Sequence, residues 1–222
     1  MITTVFFDLD GTFADTAPDL AAALNQLLIE HGKPELSYEV IRPTVSLGGN
    51  AMIQLAFSID EDSDDFRILR QRFLEIYNQR MHVSTTLFAG IAEVINYIES
   101  GNLLWGIITN KPAWLTEPLM EQLDMLNRAA CIVCGDTTEH RKPHPAPMLH
   151  ACKMTNSEPV HSIYVGDAER DIVAGHAAGM HTLLALYGYI GSSEVPEKWQ
   201  ADGLIQHPEE IVPWIKKLSS NQ

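Results

Sequence analysis

Cysteine is scarce in this chain: Cys131, Cys134 and Cys152 are the only three in 222 residues. An odd, small number in a chain this long argues against a disulfide framework and fits a reducing compartment. Cys131 and Cys134 form a C-x-x-C, but inside the apolar run Ala130-Cys131-Ile132-Val133-Cys134. On a strand, residues three apart face opposite sides, so buried structural thiols are expected rather than a redox pair or a zinc site. Positive charge is also short, with 15 Lys and Arg against 29 Asp and Glu and a net charge of −14. A field of that sign repels phosphate backbones and anionic lipid, so neither nucleic acid nor a membrane surface is an expected partner. It also means that any phosphate-handling site must gather its positive charge locally, from a placed Lys or a bound cation. No apolar run approaches the ~20 residues that span a bilayer. No basic segment followed by an apolar one opens the chain, and a cytoplasmic location is the expectation.

What is present is an ordinary globular composition, 45% hydrophobic and 20% charged, long enough for one large domain or a domain with an insertion. Short apolar runs at 4–7, 103–108, 130–133, 162–165 and 182–186 are bounded by Gly, Asp or Thr. Continuous apolar runs of this kind suit strands buried on both faces of a parallel sheet. The intervening segments 91–100, 113–126, 146–154 and 171–178 have helical length and pattern. Strand alternating with helix predicts an α/β fold, a Rossmann-like doubly wound parallel sheet.

Residues 15–86 interrupt that alternation. Thr16-Ala17-Pro18-Asp19 reads as a capping box with Pro near the first helical position. Leu20, Leu24, Leu27 and Leu28 then form a helical stripe ended by Gly32, and Phe66, Leu69, Phe73, Ile76 and Tyr77 repeat the pattern. Some seventy residues of helix are too many for an ordinary crossover. The predicted organisation is an α/β core from 1–14 and 87–222 with an inserted all-helical cap subdomain at 15–86. A polar tail is read at Ser219 to Gln222.

The chemistry-bearing residues cluster where strands end. Asp8 and Asp10, in Asp8-Leu9-Asp10-Gly11-Thr12, follow the first run directly, and residues two apart in an extended segment face one side. Carboxyl ends of strands in open α/β sheets are where ligands bind. Two carboxylates this close need a proton or a cation between them, unless the motif is a plain solvated D-G turn. Asp167 and Asp171 lie four apart after another strand, on one face of a helix start; dipole capping is the alternative there. Two such clusters make an all-oxygen site suited to Mg²⁺. Thr109-Asn110-Lys111 offers a hydroxyl and backbone N–H groups after the second strand, or a simple turn. Lys142, in Arg141-Lys142-Pro143-His144-Pro145, offers an ammonium on a proline-pinned loop, or a surface lysine. His140 and His144 flank it and read as loop histidines, not metal ligands.

Asp8-Leu9-Asp10-Gly11-Thr12, Thr109-Asn110, Lys142-Pro143 and Gly166-Asp167 with Asp171 resemble, in order, the four motifs of the haloacid dehalogenase superfamily of phosphatases. The likeness covers nearly the whole chain and is strongest to the phosphoglycolate phosphatase group. Leu104 to Pro112, Ala151 to Met154 and Tyr187-Gly188-Tyr189-Ile190 look similar to N-acetylmuramic acid 6-phosphate phosphatases. Phe13-Ala14-Asp15-Thr16 departs from the usual Leu-Val-Asp-Ser without removing a catalytic group. The resemblance implies Asp8 as nucleophile and Asp10 as general acid/base. It implies Thr109 and Lys142 on phosphate oxygens, and Mg²⁺ on Asp8, the Asp10 carbonyl and Asp167 with Asp171 in support. A small phosphomonoester would be the substrate. Asp10 argues against carbon–halogen cleavage, which lacks that second carboxylate. A β-phosphoglucomutase-like phosphotransferase and a non-catalytic phosphate-sensing regulatory protein are the alternatives. Substrate choice is expected in the insertion, at Arg42, Ser46, Gly48 and Gly49, with Asn110 contributing from the core; the plain alternatives are an inter-helix turn at Ser46-Leu47-Gly48-Gly49-Asn50 and a solvated surface position for Arg42. Monomer and homodimer stand as equal alternatives.

Overall fold

The computed structural model describes residues 1–220. Strand β1 (Thr4–Phe7) leads to a short β2 (Ala14–Asp15), then to helices α1 (Ala17–Glu30), α2 (Tyr38–Ile41), α3 (Gly49–Phe57) and α4 (Asp64–Arg80), and to a short β3 (Thr86–Leu87). Helices and strands then alternate: α5 (Ile91–Ser100), β4 (Leu104–Ile108), α6 (Ala113–Gln122), β5 (Cys131–Val133), α7 (Ala146–Thr155), β6 (Ser162–Gly166), α8 (Glu169–Ala178), β7 (His181–Ala185), β8 (Gly203–Ile205) and α9 (Ile211–Ser220). The chain divides into two compact units, residues 15–86 and the remainder on either side of them.

In the larger unit six strands form one sheet in the order β5-β4-β1-β6-β7-β8, each neighbouring pair parallel. Every residue of β1 and of β6 is buried, as continuous apolar runs covered on both faces require. Fully burying one such Phe side chain contributes about 1.5–3 kcal/mol, and Phe6, Phe7 and Phe13 are all inaccessible. Gly106 permits the close approach of β4 to β5, since a Cβ there would lie 2.7 Å from Cys131 Sγ and 2.8 Å from the Cys131 carbonyl oxygen. Connections run outward from β1 in both directions, so the sheet reverses its winding at β1. That reversal opens a crevice at the carboxyl ends of β1, β4 and β6.

The doubly wound sheet is as the apolar runs predict, with differences at its margins. Helix 113–126 ends four residues early, at Gln122, because Asp124 takes a left-handed φ of 58° and Met125 N–H turns back to the Met120 carbonyl at 2.9 Å. The last strand, β8, and the helix after it carried no clear apolar run. Ser219 and Ser220, read as tail, belong to α9, while Asn221 and Gln222 lie outside the described residues. Cys131 and Cys134 are buried free thiols, pushed by burial up to about 12 and about 11 respectively.

The smaller unit is helical. The α1 stripe of Leu20, Leu24, Leu27 and Leu28 is buried, as are Phe66, Leu69, Phe73, Ile76 and Tyr77 on α4, and the two helices pack together. Gly32 takes φ +66° just past α1, where its N–H reaches the Ile29 carbonyl at 3.0 Å and Lys33 N–H reaches Leu28 at 2.9 Å. The expected capping box at Thr16 does not form: the Thr16 side chain makes no capping bond. Asp19 instead accepts hydrogen bonds from Ser84 N–H at 3.0 Å, Thr85 N–H at 2.9 Å and Thr85 Oγ1 at 2.9 Å. A buried carboxylate gains more from three donors across the unit than from one at its own helix end.

Candidate active site

Strand β1 ends in a tight loop. Asp8 N–H continues the sheet ladder to the Val165 carbonyl at 2.8 Å, and Asp8 Oδ1 accepts from Leu9 N–H at 2.8 Å. Phe13 and Ala14 N–H groups then turn back onto the Leu9 carbonyl at 3.1 and 2.9 Å. Gly11 at φ +84° makes that reversal, and it has no room for a side chain: a Cβ would sit 2.1 Å from Asp167 Oδ2. Gly188 closes the opposite wall, where a Cβ would meet Asp167 Cβ at 2.3 Å. Tyr189 N–H donates to Asp167 Oδ2 at 2.9 Å. Two glycines and a backbone donor thus fix Asp167 beside the loop that carries Asp8 and Asp10.

Lys142 is the centre of the arrangement. Its Nζ is fully buried and lies 2.8 Å from Asp8 Oδ1 and 2.8 Å from Asp171 Oδ1. It also donates to the Ile108 carbonyl at 3.0 Å and to the Tyr164 hydroxyl oxygen at 2.8 Å. The Tyr164 hydroxyl donates its own hydrogen bond to the Ile108 carbonyl at 2.8 Å. Asn110 clamps the Lys142 backbone from both sides, Nδ2 donating to its carbonyl at 2.9 Å and Oδ1 accepting its N–H at 3.0 Å. The Asn110 side-chain amide thus braces the Lys142 backbone. Thr109 is buried, and its Oγ1 accepts Lys111 N–H at 3.1 Å. Asp171 caps α8, through Ala168 N–H to Oδ2 at 3.1 Å, and also pairs with Lys142 at 2.8 Å.

Burial pushes the Asp8 carboxyl above its ordinary value, opposed by the Lys142 charge and reinforced by Asp171. Burial acts on Asp171 as well, but the Lys142 and Arg170 charges, with hydrogen bonds from Lys142 and the Ala168 N–H, outweigh it and hold Asp171 below the usual range. Asp8, Asp167 and Asp171 are all buried and each offers an oxygen within 4.8 Å of the others. Three buried hard-oxygen donors, one of them held in a slot too tight for any neighbouring Cβ, fit a small divalent cation of the Mg²⁺ type.

Among the described residues, the larger unit thus brings together Asp8, Asp10, Thr109, Asn110, Lys142, Asp167 and Asp171. Arg42, Ser46, Gly48 and Gly49 belong to the helical unit: Arg42 bonds the Tyr38 side chain, Ser46 is buried, and Gly48 (φ +89°) precedes α3, which Gly49 begins. The His140 and His144 rings meet tilted by 41° with centroids 4.3 Å apart, and His144 Nδ1 accepts Ala146 N–H at 3.1 Å, as loop histidines do. Sequence reasoning passed over three residues. Lys111 Nζ lies 2.9 Å from Asp10 Oδ1, Arg170 lies 3.9 Å from Asp8 Oδ2, and Tyr164 seats Lys142. Only Tyr164 carried a signal: a phenol in a fully buried strand needs a polar partner.

The sequence matches the haloacid dehalogenase-like hydrolases over residues 5–185. An N-acetylmuramic acid 6-phosphate phosphatase of Pseudomonas putida is 43% identical over 210 residues, 95% of this chain and 94% of that protein. A phosphoglycolate phosphatase of Xanthomonas campestris pv. campestris is 40% identical over 207 residues, 93% of each. A crystal structure of a predicted phosphoglycolate phosphatase from Haemophilus somnus 129pt superposes with a TM-score of 0.86 at 23% identity, covering 96% of this chain and 97% of that one.

Proposed function

This chain belongs to the haloacid dehalogenase-like hydrolases, and from that premise we propose that it is a Mg²⁺-dependent phosphatase working through an aspartyl-phosphate on Asp8. The observation that carries the reading is the Lys142 ammonium, buried at 2.8 Å from both Asp8 and Asp171 beside Asp167. An anionic nucleophile meeting an anionic phosphate needs charge neutralisation at the reacting atoms, and in a chain of net charge −14 Lys142 brings positive charge directly beside Asp8. Asp8 attacks phosphorus, aligned by Leu9 N–H on its Oδ1. Asp10 gives a proton to the leaving oxygen and later takes one from the attacking water. Lys142 and the Thr109 hydroxyl hold phosphate oxygens, and Asp171 holds the Lys142 ammonium in place through their ion pair at 2.8 Å. Bound Mg²⁺, held by Asp8, Asp167 and the Asp10 carbonyl with Asp171 in support, offsets the repulsion between nucleophile and phosphate.

The substrate proposed is a small phosphomonoester, N-acetylmuramic acid 6-phosphate or 2-phosphoglycolate, as relatives of 43% and 40% identity are named for them. Both compounds carry a carboxylate besides the phosphate. Residues 15–86 are proposed as the cap domain that chooses between them, with Arg42, Ser46, Gly48 and Gly49 as the candidate contacts. Arg42 has the planar fork a carboxylate accepts. A cytoplasmic location belongs to the same proposal, and among the described residues no helix is long and apolar enough to cross a membrane.

The test is phosphate release from these two compounds and from β-glucose 1-phosphate, with Mg²⁺ or with EDTA. Metal-dependent release from either of the first two, with the higher kcat/KM naming the substrate, is expected. No release from any ester sinks the phosphatase reading. Conversion of β-glucose 1-phosphate to its 6-phosphate without net release would assign a mutase instead.

A further inference from the structure

Lys111 has a place in the site that its sequence position does not announce. Its side chain is only 7% exposed and its Nζ lies 2.9 Å from Asp10 Oδ1, itself on a side chain 18% exposed. Lysine is rarely this buried without a partner, and a pair shielded to this degree interacts more strongly than an exposed surface pair. The residue is delivered from a fixed base. Its N–H donates to Thr109 Oγ1 at 3.1 Å, and its carbonyl accepts Gly135 N–H at 2.8 Å and Thr116 Oγ1 at 3.4 Å. The ammonium is a compact charge and engages Oδ1, so it sets the direction of the carboxylate without gripping both oxygens as an Arg fork would.

Four groups now form two ion pairs with separate duties. Lys142 serves Asp8 at 2.8 Å, and Lys111 serves Asp10 at 2.9 Å. Asp10 is on a loop that turns through Gly11, and a carboxylate there has two side-chain torsions to settle before it can reach a leaving oxygen. A misplacement of about 1 Å in a proton-transfer group lowers a rate by roughly a hundredfold. We infer that Lys111 is the positioning residue for Asp10, holding its carboxylate in the direction that proton transfer to the leaving group requires. The inference rests on the phosphatase reading above and adds a residue that reading does not use.

The experiment uses the full chain with Mg²⁺ and compares the parent with Lys111→Met and Lys111→Arg. Each is assayed on two esters: the alkyl phosphate that the parent turns over best, and p-nitrophenyl phosphate, whose leaving group departs without a proton. Lys111→Met should lower kcat/KM for the alkyl ester about tenfold to a hundredfold and for p-nitrophenyl phosphate less than about threefold. The alkyl-ester loss should fall on kcat with KM nearly unchanged, and Lys111→Arg should recover most of it. Equal losses on both esters would assign Lys111 to phosphate binding or to folding and overturn the inference, as would a loss confined to KM. A parent inactive on every ester would instead overturn the phosphatase reading itself, and with it this role for Lys111.

Discussion

Replacing Lys142 by Met tests how much the site depends on one buried cation. The ammonium has no solvent contact and bonds two carboxylates, a carbonyl and a phenol within 3.0 Å. Met keeps the stem volume and removes the charge, leaving Asp8 and Asp171 as buried anions with the Arg170 guanidinium 3.9 Å from Asp8. Removing one partner of a buried ion pair is worth about 3–5 kcal/mol of stability, or a Tm fall on the order of 10 °C for a chain this size. The pH dependence follows from the two carboxyls. In the parent, Asp171 lies below its ordinary 3.8, so it contributes stability above that pH and loses it as pH falls through the lower folded value. Asp8 lies above 3.8, so its ionisation removes stability as pH rises from there through the raised folded value. Without Lys142 both carboxyls move to the raised side, and protonation relieves both. Urea unfolding in EDTA at pH 8 and pH 5 should therefore show a penalty that shrinks at the lower pH. A penalty under about 1 kcal/mol at pH 8, or one that grows on acidification, would refute the reasoning.

Gly11→Ala forces a Cβ within 2.1 Å of Asp167 Oδ2 at a backbone φ of +84°, so it should lose about 1–3 kcal/mol and most phosphate release; Tm and kcat read this. Asp19→Ala leaves two backbone N–H groups and a hydroxyl at Ser84 and Thr85 without their acceptor. It should destabilise by about 2 kcal/mol in urea unfolding and speed hydrogen exchange at those amides. The Cys131 and Cys134 thiols, pushed by burial up to about 12 and about 11, should react with a disulfide reagent at pH 8 at least ~100-fold more slowly in the native protein than after denaturation.

The five strands β1, β4, β5, β6 and β7 were legible because a strand covered on both faces needs an unbroken apolar run, and little else in the chain has one. β8 was not legible: it is three residues at the sheet edge, and Leu204 at its centre is 40% exposed. The helix α9 presents only Ile211 and Ile215 as buried positions, too short a stripe to stand out beside Pro213. The carboxylates could be read from their places just after strand ends, since a strand fixes where the following residues point, and Lys142 from its proline-flanked loop ahead of α7. Lys111 and Arg170 could not be given partners, because a long side chain reaches any of several acids and spacing does not say which. Asn110 stood in the right place, but its duty of bracing Lys142 depends on a loop 32 residues away in sequence.

The most direct test of the central claim is a rapid acid quench of Asp10→Asn protein with Mg²⁺ and p-nitrophenyl phosphate, whose leaving group needs no proton from Asp10, followed by peptide mass analysis. Slowed hydrolysis should let a phosphoryl group accumulate on the peptide holding Asp8 and map to that side chain, and Asp8→Asn protein should show neither adduct nor turnover. A phosphoryl group on another residue, or phosphate release by Asp8→Asn at a rate near the parent's, would contradict the account.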